Sequence, residues 1–271
     1  MKPPIGRDTQ LCMSLAGRPG HFGSRFHNHL YEALGLDYVY KAFTTRDLPA
    51  AIGGIRALGI RGCAISMPFK EAVIPLLDGL EASARAIDSV NTIVNDGGRL
   101  TGYNTDYVAV RGLIERARLA PDTPFLLRGS GGMAKAVAAA FRDAGLRAGT
   151  IIARNEAAGA ALARTYGYRW QAELPDAPVP LLVNVTPLGM TGADQDVLAF
   201  PEPLIAACDI AFDVVALPIQ TPFLERARAL GKRLISGGEV AMLQALEQFI
   251  LYTGVTPTEA QAQAAAAFAR G

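Results

Sequence analysis

Cysteine, histidine and tryptophan are scarce in this chain of 271 residues, at three, three and one. Cys12, Cys63 and Cys208 lie far apart with no C-x-x-C spacing, which excludes a disulfide framework and a cysteine-ligated metal. They read as reduced thiols packed as small apolar groups. His27 and His29 are two positions apart and cannot share a helix face; with His21 they find no further ligands, so no metal is expected. An excess of one charge is missing too. Lys and Arg number 26 against 25 Asp and Glu, spread along the chain, which leaves no basic face for nucleic acid. No apolar run reaches the roughly 20 residues that span a bilayer. The opening residues, Met1-Lys-Pro-Pro-Ile-Gly-Arg-Asp, lack the apolar core of a signal peptide. These absences point to a cytoplasmic monomer or homodimer that binds a small molecule, with neither nucleic acid nor membrane as partner.

Alanine and glycine are plentiful, and half the residues are apolar. That composition suits helices packed on a sheet, and the length favours two domains over one. Residues 10–15, 38–43 and 60–66 read as strands, alternating with helices at 25–34 and 47–58. Ser24 can cap the first helix, and Gly35 and Gly59 end the two. Short helical pieces follow at 69–77 and 81–86. Strands at 91–94 and 99–103 flank Asn95-Asp-Gly-Gly, a hairpin turn. The alternation predicts a mostly parallel sheet. A helix at 107–118, broken by Pro121 and Pro124, holds the domain boundary. Beyond it come strands at 125–128, 150–154, 179–185, 210–215 and 233–236, with helices at 132–144 and 155–166. Helices at 239–252 and 258–269 lack partners there and are expected to pack back onto the first domain. The expected fold class is therefore α/β in two domains. Residues 1–106, completed by 239–271, form a mostly parallel sheet domain that binds substrate. Residues 107–238 form a Rossmann domain.

The Rossmann reading starts from Phe125-Leu-Leu-Arg-Gly129-Ser130-Gly131-Gly132-Met133-Ala134, where an apolar strand runs into glycines and then a helix. Gly129, Gly131 and Ala134 match the G-x-G-x-x-G/A dinucleotide fingerprint. Glycines let backbone approach a pyrophosphate, and the helix N-terminus faces its charge. The same turn also serves as a plain strand-to-helix connection. One strand later an NAD site would carry a carboxylate for the ribose hydroxyls. Here the strand ends in Arg154-Asn155, and a guanidinium there would pair with a 2′-phosphate, which points to NADP. The alternative is a solvated arginine opening a helix. The loop Asn184-Val-Thr186-Pro-Leu-Gly-Met190 is either a ligand-approach segment or an ordinary surface loop. Asp213 and the Thr221-Pro222 helix start read as structure.

In the first domain, Ser66-Met-Pro-Phe-Lys70 places a lysine after a proline-ended strand. On local grounds Lys70 is either a solvated charge or a functional one, and Asp106 either caps a helix or does chemistry. Taken in order, Ser66-Met-Pro-Phe-Lys70, Val90-Asn91-Thr, Asn104-Thr-Asp106, the glycine turn, Asn184-Val-Thr-Pro-Leu-Gly-Met190 and Gln244 resemble the shikimate dehydrogenase family across nearly the whole chain. The resemblance implies an NADP-dependent dehydrogenase of the shikimate pathway, which serves aromatic amino acid biosynthesis, with its cleft between two domains. Hydride would pass between the nicotinamide and a secondary alcohol of a shikimate-like cyclic hydroxy acid. Lys70 and Asp106 match the family's catalytic pair and would handle the proton, with neither assigned as the formal base. Asn91 and Gln244 would hold ring hydroxyls. The nicotinamide would lie near Thr186, Val214 and Gly237.

Three departures bear on the substrate. The serine pair usual in the N-terminal loop is absent from Gly20-His-Phe-Gly-Ser24-Arg-Phe-His27-Asn28, leaving Ser24 and Ser14 as the nearest hydroxyls. Ala64-Ile-Ser66 replaces the usual Asn-Val-Thr, keeping a hydroxyl at Ser66 and losing an amide. Ala216 stands where a tyrosine is usual. Each lost hydrogen bond to a charged group costs about 1.5–3 kcal/mol. The chain therefore resembles the shikimate dehydrogenase-like branch, with an altered pocket. A second reading is an NADP-binding sensor or a degraded dehydrogenase.

Overall fold

A computed structural model describes residues 2–271. The chain divides into two compact units, Met1–Thr105 with Met242–Gly271, and Asp106–Ala241. In the first, β1 (Gln10–Leu15), β2 (Tyr38–Phe43), β3 (Gly62–Ile65), β4 (Gly79–Leu80), β5 (Thr92–Asp96) and β6 (Arg99–Tyr103) form one sheet. Its order is β2-β1-β3-β5-β6-β4. β1 runs parallel to β2 and β3, whereas β5 is antiparallel to β3 and β6. β4 runs parallel to β6, so five of the six strands point the same way and β5 alone is reversed: the sheet is mostly parallel, as the alternation predicts, with one antiparallel strand. The cause is the hairpin: two glycines suffice to reverse the chain where a parallel step needs a crossover. Gly97 and Gly98 alone turn it, at φ +60° and +94°. Asn95 and Asp96 belong to the strand, and the Asn95 side-chain oxygen accepts from the Gly98 amide at 2.8 Å.

α1 (Phe22–Ala33) begins before Ser24, with His21 at its N-cap and no side chain capping it. Ser24 is therefore not the cap expected from the sequence. Phe22 enters the helix because it stacks on buried Phe26 one turn later, with ring centroids 5.8 Å apart. α2 (Leu48–Ala57) has Asp47 accepting from the Ala50 amide, as its sequence suggests. α3 (Ala82–Arg85) is a single turn. Residues 69–77 hold only a 3₁₀ turn at Ile74–Leu76, since Pro75 removes a helical donor. Strand β4 carries too few residues to show a period. His27 is a core histidine. It is fully buried, stacks on Tyr40 at 4.4 Å, and its Nδ1 pairs with the Gly23 carbonyl at 2.9 Å. Burial pushes its pKa down to about 4.

The second unit opens on α4 (Thr105–Ala117) and continues β7 (Phe125–Arg128), α5 (Gly132–Asp143), β8 (Gly149–Ile152), α6 (Glu156–Tyr166), β9 (Arg169–Gln171), β10 (Leu181–Asn184), α7 (Glu202–Ala207), β11 (Ile210–Asp213), α8 (Pro222–Ala229) and β12 (Arg233–Ile235). The sheet order is β12-β11-β10-β7-β8-β9, parallel throughout. Counted within the unit this is the doubly wound 3-2-1-4-5-6 arrangement, which switches direction beside β7. All of β8, β10 and β11 is buried, as helices on both faces require. β9 and α7 are absent from the sequence-based expectation. β9 is a short edge strand in which Arg169 and Gln171 are exposed, so it carries no apolar run. Trp170 packs between helix and sheet: its indole donates to the Ala153 carbonyl and covers Gly159 of α6.

α9 (Gly237–Thr253) and α10 (Glu259–Arg270) return the chain to the first unit. Thr258 and Gln261 form a reciprocal capping box at the start of α10. Phe249, Tyr252, Ala265, Ala266 and Ala269 share a core with Phe26, Leu30 and Tyr31. The Tyr252 ring lies on Gly62, where a Cβ would sit 2.2 Å from it. All three cysteines are free and buried. Burial pushes their thiols up, Cys12 to about 12, so none is a ready nucleophile. No helix among the described residues is long and apolar enough to cross a membrane.

Candidate functional site

In the first unit, backbone pairing gathers the residues singled out in the sequence. After β3 the chain turns through Ser66 to Phe69, whose amide donates to the Ser66 carbonyl at 2.9 Å. The Ile65 amide donates to the Asn91 carbonyl at 2.7 Å, and the Val90 amide to the Lys70 carbonyl at 2.9 Å. Lys70 is thereby tied beside Asn91. Ser14 and Ser66 stand at the ends of the adjacent strands β1 and β3, where the Ser66 amide donates to the Leu15 carbonyl at 2.9 Å. Ser24 lies apart on α1, and its carbonyl accepts from Asn28 at 2.8 Å. No described contact joins Ser24 to the Asn91 group.

Asn91 is the hub. It is 3% exposed, and its Oδ1 accepts from the Thr105 amide and from the Thr92 hydroxyl, each at 2.8 Å. Among the described residues no protein group accepts from its Nδ2, so that donor is available to a ligand. Because Thr105 precedes Asp106, Asn91 also holds the start of α4, where Asp106 sits in the first turn. Asp106 is therefore not an N-cap; a carboxylate in the first turn is favourable to the helix dipole. The Thr105 hydroxyl reaches Gln244 Oε1 at 3.5 Å, and Gln248 donates to the Thr92 hydroxyl at 3.0 Å. Gln248 escaped the sequence reading. The available signal was its spacing of four from Gln244, which puts both amides on one face of α9.

The second unit carries a cleft of about 620 Å³ over the β7–β8 strand ends, lined among others by Gly129, Ser130, Arg154 and Thr186. Gly129 has φ +126°, and a Cβ there would lie 2.8 Å from the Val185 side chain. Only glycine fits. At Gly131 and Gly132 the reverse holds: a Cβ would meet nothing within 4 Å. Protein packing gives no reason for those glycines, whereas close approach of a phosphate does. No side chain caps α5, so the Gly132 and Met133 amides remain open to an anion, while the Ala134 amide donates to the Gly131 carbonyl at 3.0 Å. Arg154 is exposed just past β8 and makes no ion pair among the described residues. Asn155 caps α6 by accepting from Ala158 at 3.0 Å, so the neighbouring arginine has no part in capping. These residues fit a 2′-phosphorylated dinucleotide.

Thr186, Val214 and Gly237 are organised from below. Thr186 donates its amide and hydroxyl to Asn184 Oδ1 at 3.0 and 2.6 Å, and the Val214 amide donates to the Asn184 carbonyl at 3.0 Å. Asn184 Nδ2 in turn donates to Asp213 at 3.0 Å. Asp213 is fully buried and also accepts from the Val215 amide at 3.0 Å and the Thr221 hydroxyl at 2.7 Å. Burial pushes its carboxyl up to about 6 against these three donors. Gly237 packs so tightly on Val214 and Val215 that a Cβ would lie 2.2 Å from the Val215 carbonyl oxygen. The role of Asp213 as the base of this network was invisible from its strand-end position alone. No cluster of metal-ligating side chains occurs among the described residues.

The model of the shikimate dehydrogenase substrate binding domain matches residues 22–93. A shikimate dehydrogenase-like protein of Haemophilus influenzae is 54% identical over 98% of this chain and 98% of its own. A solved shikimate 5-dehydrogenase-like protein covers 99% of this chain and 100% of its own, at 54% identity and TM-score 0.97. The shikimate 5-dehydrogenase of Thermus thermophilus, solved with NADP(H) and shikimate, covers 96% and 99% at 31% identity and TM-score 0.85. With relatives this similar over nearly its whole length, the chain belongs to the shikimate dehydrogenase family.

Proposed function

We propose that the protein is an NADP-dependent dehydrogenase acting on a secondary alcohol of a shikimate-like cyclic hydroxy acid. The observation that carries this reading is Asn91, a buried amide whose oxygen is occupied by protein donors while its Nδ2 faces no protein acceptor. An amide donor without a protein acceptor at this place suits a ligand oxygen. NADP supplies the hydride acceptor when bound. The chain supplies the rest. Asn91 and Gln244 orient hydroxyl groups, Ser14 and Ser66 offer further hydroxyl contacts, and Ser24 gives a more distant one. Lys70 and Asp106 take up the hydroxyl proton as the alcohol becomes a ketone. Gly129, Ser130, Gly131, Gly132, Met133 and Ala134 form the pyrophosphate turn, Arg154 meets the 2′-phosphate, and Thr186, Val214 and Gly237 flank the nicotinamide end.

The test is a screen of shikimate, quinate, aminoshikimate and related cyclic alcohols, read as NADPH absorbance. Turnover of at least one is expected, with shikimate itself disfavoured because the serine pair is missing near Ser24. Tight NADP binding with no turnover of any alcohol would instead support a sensor or a degraded enzyme. Cofactor choice is checked separately. Arg154→Asp is expected to weaken NADP by about 100-fold or more and NAD far less, since a carboxylate repels a phosphate but suits ribose hydroxyls. Equal dissociation constants for NADP in wild type and variant would remove Arg154 from the site.

A further inference from the structure

Arg128 ends β7 immediately before Gly129, after three buried apolar residues. An apolar residue would satisfy a central strand there, so a half-buried guanidinium needs a reason. Arg128 lines the same cleft as Arg154. Among the described residues neither forms an ion pair, and Glu173 and Asp194, which also line the cleft, are exposed and pair with neither. Burial, then the neighbouring Arg154 charge, pushes the Arg128 pKa down, so the two cations act on one another. Two like charges brought into one concave site, with no carboxylate paired to either, repel unless the site is built for an anion. Arg128 is also held in place, because its Nη1 donates to the Ala199 carbonyl. That anchor leaves the other donors of the planar fork for a ligand at little further cost in side-chain entropy.

We propose that Arg128 is a second specificity-determining cation for the 2′-phosphate of NADP, sharing that dianion with Arg154. The inference rests on the NADP reading above. A phosphate near two charges satisfies both guanidiniums, whereas the 2′-hydroxyl of NAD leaves them facing each other. Discrimination against NAD therefore exceeds what Arg154 provides alone.

The experiment measures dissociation constants for NADP⁺, NAD⁺, adenosine 2′,5′-bisphosphate and AMP with wild type, Arg128→Gln and Arg128→Lys. Glutamine keeps a polar side chain at this position but carries no charge. Arg128→Gln is expected to weaken NADP⁺ and the bisphosphate by about 10–100-fold while NAD⁺ and AMP change less than about threefold. Arg128→Lys should recover most of the loss, and the salt dependence of NADP⁺ binding should flatten in the glutamine variant. Equal weakening of all four ligands would overturn the proposal in favour of stacking on adenine or a packing role. Unchanged NADP⁺ binding would overturn it in favour of Arg154 alone. A wild type that does not prefer NADP⁺ over NAD⁺ would defeat the NADP reading itself. If the wild type prefers NADP⁺ and Arg128→Gln keeps that preference, only the assignment of Arg128 falls.

Discussion

Lys70→Ala lowers turnover of the alcohol by about 10²–10⁴-fold and leaves the dissociation constant for NADP within about threefold of wild type. The size follows from the reaction. Removing hydride from a secondary alcohol leaves a carbonyl only if the hydroxyl proton departs in step, and alanine offers no group to hold or take it. The cofactor is spared because its proposed ligands, on the glycine turn, at Arg154 and at Thr186, Val214 and Gly237, all belong to the second unit, whereas Lys70 belongs to the first. The Lys70 backbone carbonyl that pairs with Val90 is kept in the variant. Lys70→Arg is expected to fail similarly, because a guanidinium keeps its proton across the working pH range. Steady-state kinetics on the best alcohol, paired with cofactor titration, decide the matter. Near-normal turnover in Lys70→Ala would mean that the proton leaves by another route.

At Asp213 the two obvious substitutions are expected to diverge. Asp213→Ala strands the Asn184 amide, the Val215 N–H and the Thr221 hydroxyl in a fully buried site, with a net cost on the order of 3 kcal/mol. Asp213→Asn keeps an oxygen for Asn184 and Val215, and the Thr221 oxygen can accept from the new amide. Little stability is then lost at neutral pH. The pH dependence separates them further. Burial raises the folded carboxyl to about 6, above its ordinary value of 3.8. Between those values the folded state holds a proton that the unfolded state has released, so the Asp213 contribution to stability falls as pH rises from about 4 to 6 and is flat above. Denaturant unfolding across that range should show Asp213→Asn gaining on wild type as pH rises. A constant difference would mean that Asp213 does not titrate there. Because Asn184 carries Thr186 and Val214, Asp213→Ala should also loosen NADP binding.

The second unit was the more legible half. Its strands are continuous apolar runs, its first turn spends glycines where no protein atom demands them, and Arg154 stands at a strand tip that NAD would want acidic. β9 and α7 escaped because a three-residue edge strand and a six-residue helix show no period. In the first unit the hairpin and the mostly parallel sheet were both legible, with β5 the one strand that runs against the rest. A turn of two glycines reverses the chain locally and leaves the other five strands running together. Ser24 illustrates a local rule losing to packing. Its capping potential is real, yet the stacking of Phe22 on Phe26 starts the helix earlier.

The residues themselves determined the α/β class, the Rossmann turn, the family and the identity of Lys70, Asn91, Asp106 and Arg154 as candidates, because short-range spacing and residue chemistry are written along the chain. Only the tertiary structure decided which residues they contact. Asn91 became a hub when Thr105, more than a dozen positions away, closed onto its oxygen. Gln248 joined through a helix that returns from the far end of the sequence. Asp213 became the floor beneath Thr186 and Val214, and Arg128 met Arg154 across neighbouring strands. Hydrogen bonds and like charges act through space over a few ångströms, and the order of residues along a chain does not state those distances.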